Sequence, residues 1–116
     1  MALEVLRAAG VGRDLALIFD FVVAAAEDLG ERAETAFDLA ERRLVGIEAA
    51  MLYLGRVPHQ GRLRAELGDG MRNVTEGRLV FYFVVNDGAE TLRLLVVFFG
   101  GQDHRARVLL RFLTGH

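Results

Sequence analysis

The sequence predicts an α+β fold: an N-terminal αα-hairpin packed on a three- to four-stranded antiparallel sheet, with a short C-terminal helix. Residues 79–101 hold the densest run of β-branched and aromatic residues, which is typical of buried strands. Residues 13–54 instead repeat apolar residues at spacings of three and four, as amphipathic helices do. At 116 residues and 53% hydrophobic, residues 1–116 fit a single compact domain.

The centre of the predicted sheet is a hairpin of two strands, Leu79–Val85 and Thr91–Phe99. The first is apolar at every position, and a single arginine, Arg93, interrupts the second. Strands without clean alternation are usually covered on both faces. Residues 86–88, Asn-Asp-Gly, tolerate the positive φ of tight hairpin turns and therefore predict the connection between them.

Two helices are expected before the sheet. The first spans Arg13–Leu29 and ends at Gly30, and the second runs from near Glu31 to Leu54. The predicted core face of the first comprises Leu15, Ile18, Phe19, Val22, Ala25, Ala26 and Leu29. The stripe of the second comprises Ala33, Ala36, Phe37, Ala40, Leu44, Ile47, Met51 and Leu54. Because a single glycine, Gly30, separates the two helices, they are predicted to form an antiparallel helical hairpin.

The remaining segments give weaker patterns. Leu3–Leu6 is a short apolar stretch that suits an edge strand, and Arg56–Gly70 is predicted to be a loop. Met71–Thr75 is predicted to be a strand that turns through residues 76–77 into the central hairpin. Residues Asp103–Leu113 are compatible with the short C-terminal helix.

Composition excludes several classes of site. The chain has no cysteine, so disulfides and thiolate metal sites are impossible and a reducing cytoplasm is the expected location. Its three histidines, His59, His104 and His116, lack ligand spacing, so neither a metal nor a cofactor is expected. The longest apolar run is well short of the roughly 18 residues that span a membrane, so no membrane partner is expected.

Charge is distributed unevenly along the chain. Residues 1–54 hold five arginines against ten acidic residues, whereas residues 55–116 hold nine arginines against six. All of the basic residues are arginine, and none is lysine. This pattern has two interpretations: codon bias of the genome, or bidentate recognition of an anionic partner by the sheet half.

Several short sequence segments occur in an order and spacing that are typical of a known family. They are Asp14-Leu15, Ile18–Phe21, Ala40–Arg43, Pro58–Gly61, Leu67 with Gly70–Thr75, Arg78 before the strand containing Tyr82, and Val97–His104. Together they resemble the RelE/ParE family of toxins from bacterial type II toxin-antitoxin modules. The final string is similar to the ParE-like branch, whose members are often called plasmid stabilisation proteins.

This resemblance implies a toxin that arrests growth of its own cell until a cognate antitoxin neutralises it. ParE relatives poison DNA gyrase, whereas RelE relatives cut mRNA on the ribosome, so one fold serves two chemistries. DNA is then contacted only indirectly, through the antitoxin. A third possibility is an inactive binding module of the same fold.

The nuclease branch needs cations that stabilise the charge developing at phosphorus, together with a proton acceptor and a proton donor. Relatives commonly use lysine, arginine, tyrosine, glutamate or histidine for these roles. Without lysine, the candidate catalytic residues are Arg62, Arg64, Arg78 and His104, and none matches a nuclease motif. This departure from the nuclease branch favours a non-enzymatic gyrase poison over an mRNA endoribonuclease.

Target binding is predicted for a second set of polar residues. They are Arg72, Arg78, Asp103, His104, Arg105 and Arg107. Four of them have a simpler interpretation as well. Arg72 and Arg78 suit a solvated sheet edge, Asp103 suits a helix N-cap, and His104 suits an ordinary hydrogen-bonded polar group. Tyr82, in the middle of an apolar strand, is expected to pack in the core.

Antitoxin binding is predicted for Leu17, Phe21 and Ala24, which fall outside the core face of the first helix. Three apolar residues at helical spacing indicate a groove for a partner, and the alternative is burial under the N-terminal segment. Phe21 is expected to be the main anchor, since aromatic residues dominate such contacts. Asp20 and Asp28 beside the ridge predict a partner segment with flanking arginine or lysine.

Overall fold

The computed structural model describes residues 2–99, which form two layers: a helical hairpin and a five-stranded sheet. In chain order the elements are β1 (Glu4–Arg7), α1 (Val11–Asp28), α2 (Ala33–Leu54), β2 (Arg62–Leu63), a 3-10 turn (Ala65–Leu67), β3 (Met71–Glu76), β4 (Leu79–Asn86) and β5 (Thr91–Phe99). The predicted fold class, a helical hairpin packed on a sheet, is confirmed. The predicted C-terminal helix, Asp103–Leu113, lies outside the described residues.

The strands lie side by side in the order β1-β5-β4-β3-β2. β1 pairs in parallel with β5, and every other pair is antiparallel. The predicted central hairpin, β4 and β5, occupies interior positions, and Leu3–Leu6 contributes to an edge strand as expected. The sheet therefore has more strands than predicted and is mixed rather than purely antiparallel.

The core lies on both faces of the central hairpin. Alternation along β4 and its register with β5 put Phe81 and Val97 on the face toward the helices and Tyr82 and Phe98 on the opposite face. All four side chains are buried, as the unbroken apolar pattern predicts. Leu95 is the extra residue of a β-bulge within β5.

A buried carboxylate fixes α1 to the sheet. Asp14, only 3% exposed, accepts a hydrogen bond at Oδ2 from the backbone N–H of Val97 at 3.1 Å. The strand β1 ends its pairing with β5 opposite Leu94, so beyond that point the edge of β5 is open to a side-chain acceptor. Asp14 thus completes the hydrogen bonding of β5 where β1 stops.

The helical hairpin follows the predicted pattern except around the α1–α2 turn, where Ala25, Ala33 and Phe37, all predicted on the core faces, are exposed. Gly30 has a φ of 97° and ends α1, and Phe19 of α1 meets Phe37 of α2 edge to face at 5.5 Å. Leu29, predicted on the core face of α1, is instead 87% exposed. It lies just beyond the last helical turn, where α1 has passed the buried part of the hairpin.

Two connections differ from their sequence-based predictions. The Arg56–Gly70 loop contains the two-residue strand β2, which is too short to produce an alternating pattern and exists through its pairing with β3. In the β4–β5 hairpin the positive φ falls at Glu90, at 57°, and not within residues 86–88. Asn86 shapes that turn by accepting a hydrogen bond from Ala89 N–H at Oδ1.

Candidate functional site

The sheet edge formed by β2 and β3 holds a polar depression of about 470 Å³. We call it the β2–β3 pocket, and it is lined by Gly61, Arg62, Arg64, Asn73, Val74 and Thr75. The register pairs Arg62 with Asn73 and Asn73 with Tyr82, so the pocket opens on the face of the sheet opposite the helices. Gly61 has a φ of 83°, and a Cβ there would clash with the carbonyl oxygen of Asn73. Glycine at position 61 therefore lets the backbone lie close to Asn73 of β3, and this contact forms the wall of the pocket.

An ion pair lies beside the β2–β3 pocket. Nε of Arg64 donates a hydrogen bond to Oε2 of Glu66 at 2.7 Å. This hydrogen bond is the main reason that the pKa of Arg64 is raised and that the pKa of Glu66 falls below the ordinary 4.5 of a glutamate. The contact thus favours the charged form of both groups.

One acceptor in the β2–β3 pocket is unused. The Oδ1 atom of Asn73 is buried and has no hydrogen-bond partner among residues 2–99. Buried acceptors are nearly always bonded, so this oxygen is ready to accept a hydrogen bond from a ligand O–H or N–H. The pocket thus combines two guanidinium groups with one acceptor.

A second surface, on the helical side of the sheet, is mainly apolar. We call it the Phe99 groove, and it has a volume of about 360 Å³. It is lined by Phe21, Val22, Ala25, Ala26, Leu29, Leu39, Arg43, Arg78 and Phe99. The Phe21 ring meets the Phe99 ring at 5.5 Å, which joins α1 to the end of β5. The groove therefore lies between the end of α1, the start of α2 and the end of β5.

Two arginines border the floor of the Phe99 groove. The guanidinium carbons of Arg43 and Arg78 lie 5.0 Å and 5.2 Å from the centre of the Phe99 ring, within cation–π range. The same two arginines also line a neighbouring cleft of about 300 Å³ between α2 and the β3–β4 turn, which includes Arg42 and Glu76. The groove and this cleft thus adjoin each other at Arg43 and Arg78.

The predicted catalytic residues are separated in the structure. Arg62 and Arg64 share the β2–β3 pocket, whereas Arg78 lies in the Phe99 groove on the helical side of the sheet. His104 is outside the described residues. Two of the four candidates are therefore neighbours.

The predicted target-binding residues are also dispersed. Arg72 donates a hydrogen bond from Nη1 to the backbone oxygen of His59 at 3.1 Å, which ties β3 to the loop after α2. Arg78 instead lies against Phe99. Asp103, His104, Arg105 and Arg107 are outside the described residues.

Of the predicted antitoxin-binding residues, Phe21 alone lines the Phe99 groove. It is 38% exposed although its ring contacts Phe99. Leu17 is half-buried and Ala24 is exposed, and neither lines the groove. The large exposed apolar side chains at this end of α1 are Phe21 and Leu29.

Sequence reasoning missed two features of these surfaces. Phe99 was assigned only to the core, although it also floors a groove, and the charged partners of Phe99 come from α2 and from the β3–β4 turn. Glu66 and Asn73 gave no signal, because their roles depend on the pairing of β2 with β3. Two sequence features could have indicated the Phe99 groove: the apolar Leu39, which lies outside the predicted α2 stripe, and the Arg42-Arg43 pair.

The described part of the chain holds neither a metal site nor a membrane-spanning helix. No cluster of histidine, aspartate and glutamate within residues 2–99 has the arrangement of a metal site. Neither helix in that range combines the length and apolarity needed to cross a membrane.

Comparison with solved structures identifies the fold. A chain of the toxin-antitoxin complex RelBE2 from Mycobacterium tuberculosis matches with a TM-score of 0.57 and 18% identity, over 88% of this chain and 95% of that one. A chain of the chromosomal ParDE toxin-antitoxin system from P. aeruginosa matches with a TM-score of 0.55 and 18% identity, over 85% and 97%. The chain has the RelE/ParE-like fold.

No family model matches the sequence, and no curated protein is significantly similar to it. At 18% identity the RelE/ParE-like fold is shared while most side chains differ. Since a fold does not determine activity, function has to be argued from the two surfaces of this chain.

Proposed function

We propose that this protein is the toxin of a bacterial type II toxin-antitoxin module, neutralised by a cognate antitoxin. The observation that carries the proposal is the extent of the structural likeness. The match covers 95% and 97% of chains from two toxin-antitoxin systems, so those chains add no large element to the shared fold. The activity would then be exerted by the fold that all three chains possess.

The mode of action that the site favours is binding of DNA gyrase rather than cleavage of RNA. General acid–base catalysis at neutral pH requires groups with a pKa near neutrality. Among the described residues that line the β2–β3 pocket, Arg62 and Arg64 are the only titratable ones, and an arginine keeps its charge at pH 7. The described lining therefore offers charge for binding a target but no group that exchanges a proton near neutrality, which supports a binding poison.

The residues proposed to contact the target remain those predicted from sequence: Arg72, Arg78, Asp103, His104, Arg105 and Arg107. Among the described ones, Arg78 is exposed and lies on the helical side. For the antitoxin we propose Phe21 as the anchor, together with the predicted Leu17 and Ala24. Gyrase and the ribosome are both cytoplasmic, so the protein is expected to act there.

A ribosome-dependent mRNA endoribonuclease is the second candidate, and one observation favours it. Asn73 Oδ1 lacks a partner in the described structure and lies in the same pocket as Arg62 and Arg64. An RNA strand offers a phosphate for the arginines and a ribose hydroxyl for the amide oxygen. The gyrase poison and the endoribonuclease therefore predict different effects of substitutions in the β2–β3 pocket.

Regulated expression in a bacterial host tests the proposal. The expected result is growth arrest with altered plasmid supercoiling and intact mRNA, the last assessed by primer extension on an abundant transcript. Cuts in that transcript with normal supercoiling would establish the nuclease instead. Normal growth at a protein level that is readily detected would contradict the toxin proposal and favour an inactive binding module.

A further inference from the structure

The side of α2 that faces away from the sheet is partly apolar. Val45 is 69% exposed, Leu52 is 64% exposed and Tyr53 is 53% exposed. Val45, Ala49 and Leu52 follow one another at spacings of four and three, so they share one face of the helix, and Tyr53 borders it. We call these four residues the outer α2 face. Large exposed apolar side chains gathered on one helix face are typical of a protein interface.

The middle of the outer α2 face has small side chains. Ala49 is exposed, and at Gly46, nearly one turn earlier, a Cβ would have nothing within 4 Å. Small residues let two helix axes approach to the distance of about 8 to 10 Å that is usual for packed helices. The face therefore has room for a second helix that lies along it.

Charge beside the outer α2 face changes sign from one end to the other. Asp38 and Glu41 precede the apolar residues, Arg56 follows them, and all three side chains are exposed. The backbone of Gly55 is helical, with a φ of −66° and a ψ of −22°, so Arg56 continues the last turn of α2. The face therefore has an acidic end and a basic end.

Other charged groups of α2 have neighbours within the chain. The Arg42-Arg43 pair lines the cleft toward the β3–β4 turn, and Glu48 forms an ion pair with Arg7 of β1. By contrast, Glu41 and Arg56 form no ion pair with any of residues 2–99. One charge at each end of the outer α2 face is therefore available to a second molecule.

We propose that the outer α2 face binds the same face of a second copy of this chain, with the two α2 helices antiparallel about a twofold axis near Ala49. Val45 and Leu52 lie on either side of this axis at similar distances, so each packs against the other in the second copy. Arg56 of each copy then lies opposite the acidic end of the other, which holds Asp38 and Glu41. A parallel arrangement would place like charges together, so charge selects the antiparallel one.

This pairing is independent of the proposed function. None of the four residues of the outer α2 face lines the β2–β3 pocket or the Phe99 groove. The two copies would therefore associate whether the protein is a toxin or an inactive binding module. A face one helix wide is small for a specific interface, so we expect a Kd in the micromolar range.

Sedimentation velocity at several concentrations tests for the dimer. Val45→Glu with Leu52→Glu places four carboxylates at the interface and should weaken the dimer at least about a hundredfold. The matched control is Leu29→Glu with Leu63→Glu, which makes the same change at leucines that are 87% and 54% exposed elsewhere. It should leave the dimer unchanged.

A charge exchange tests the antiparallel arrangement. Glu41→Arg and Arg56→Glu should each weaken the dimer about tenfold, because twofold symmetry replaces two ion pairs by two contacts of like charge. The two substitutions combined in one chain should restore an affinity close to that of the wild type. This rescue is not expected for parallel helices, in which each residue would lie opposite its own copy.

Introduced cysteines test where the axis lies, since the chain has no cysteine of its own. Ala49→Cys lies near the twofold axis and should form a disulfide between copies under mild oxidation. Thr35→Cys is the control on the same helix. It lies about 21 Å along α2 from Ala49, so its two copies would be roughly 40 Å apart and should not cross-link.

Several results would overturn the inference. One is a wild-type protein that stays monomeric up to about 1 mM, and another is a dimer that survives Val45→Glu with Leu52→Glu. Efficient cross-linking of Thr35→Cys, or no rescue by the charge exchange, would contradict the antiparallel arrangement. Growth arrest by a strictly monomeric protein would contradict this inference alone. A dimer that does not arrest growth would contradict the toxin proposal alone.

Discussion

Arginine lines two surfaces on opposite faces of the same sheet, and its surroundings differ between them. In the β2–β3 pocket, Arg64 is paired with Glu66 at 2.7 Å and has polar neighbours, including Asn73. In the Phe99 groove, Arg43 and Arg78 lie over an aromatic ring among apolar side chains. The first surface is polar, and the second is mainly apolar with two arginines over its aromatic floor. Residue type alone does not distinguish these roles.

The largest expected effect concerns the floor of the Phe99 groove. Phe99 is only 6% exposed, so Phe99→Ala should lower the free energy of unfolding by about 3 to 5 kcal/mol. Chemical denaturation measures this change. Arg62→Ala, at the other surface, should change it by less than about 0.5 kcal/mol. Similar losses for the two variants would mean that the groove floor is not part of the core.

The next effect concerns the attachment of α1, which forms one wall of the groove. Asp14→Ala leaves the buried N–H of Val97 without its carboxylate acceptor and should destabilise the protein by about 1.5 to 3 kcal/mol. Asp20→Ala, at an exposed position on the same helix, is the control and should be nearly neutral. If both variants unfold at the same denaturant concentration, the Asp14 bond contributes no net stability.

The smallest effect concerns the pH dependence of the β2–β3 pocket. Contact with Arg64 lowers the pKa of Glu66, so the pair stabilises the fold above pH 4.5 and this stabilisation is lost as pH falls through the folded pKa, below 4.5. An NMR titration should place the midpoint of Glu66 below 4.5. Arg64→Gln should move it back toward the ordinary value, and an identical midpoint in both proteins would show that the contact is absent in solution.

The sequence predicted those parts of the fold that depend on local pattern. The helical spacing in α1 and α2 and the unbroken apolar strand β5 correspond to elements whose bounds differ by at most two residues from the prediction. The β2 strand could not be predicted, because Arg62 and Leu63 become a strand only through pairing with β3. Local propensity has no information about such a partner.

The candidate surfaces were less predictable than the fold. Arg62 and Arg64 are near neighbours in sequence, so their common pocket could be anticipated, and Phe21 was identified from its position on α1. Arg43, Arg78 and Phe99 come from three separate elements, and only the packing of α2 on the sheet brings them together. The Arg42-Arg43 pair was a local signal of positive charge, but no local pattern placed it beside Arg78 and Phe99.

Supercoiling of relaxed plasmid by purified DNA gyrase is the most direct test of the proposed function. It should be measured with the wild-type protein and with the double variant Arg62→Ala with Arg64→Ala, which removes both charges of the β2–β3 pocket. The account predicts that both proteins inhibit supercoiling to a similar extent, since a binding poison does not require that pocket. Normal supercoiling with the wild-type protein, together with mRNA cleavage on ribosomes that the double variant has lost, would contradict it.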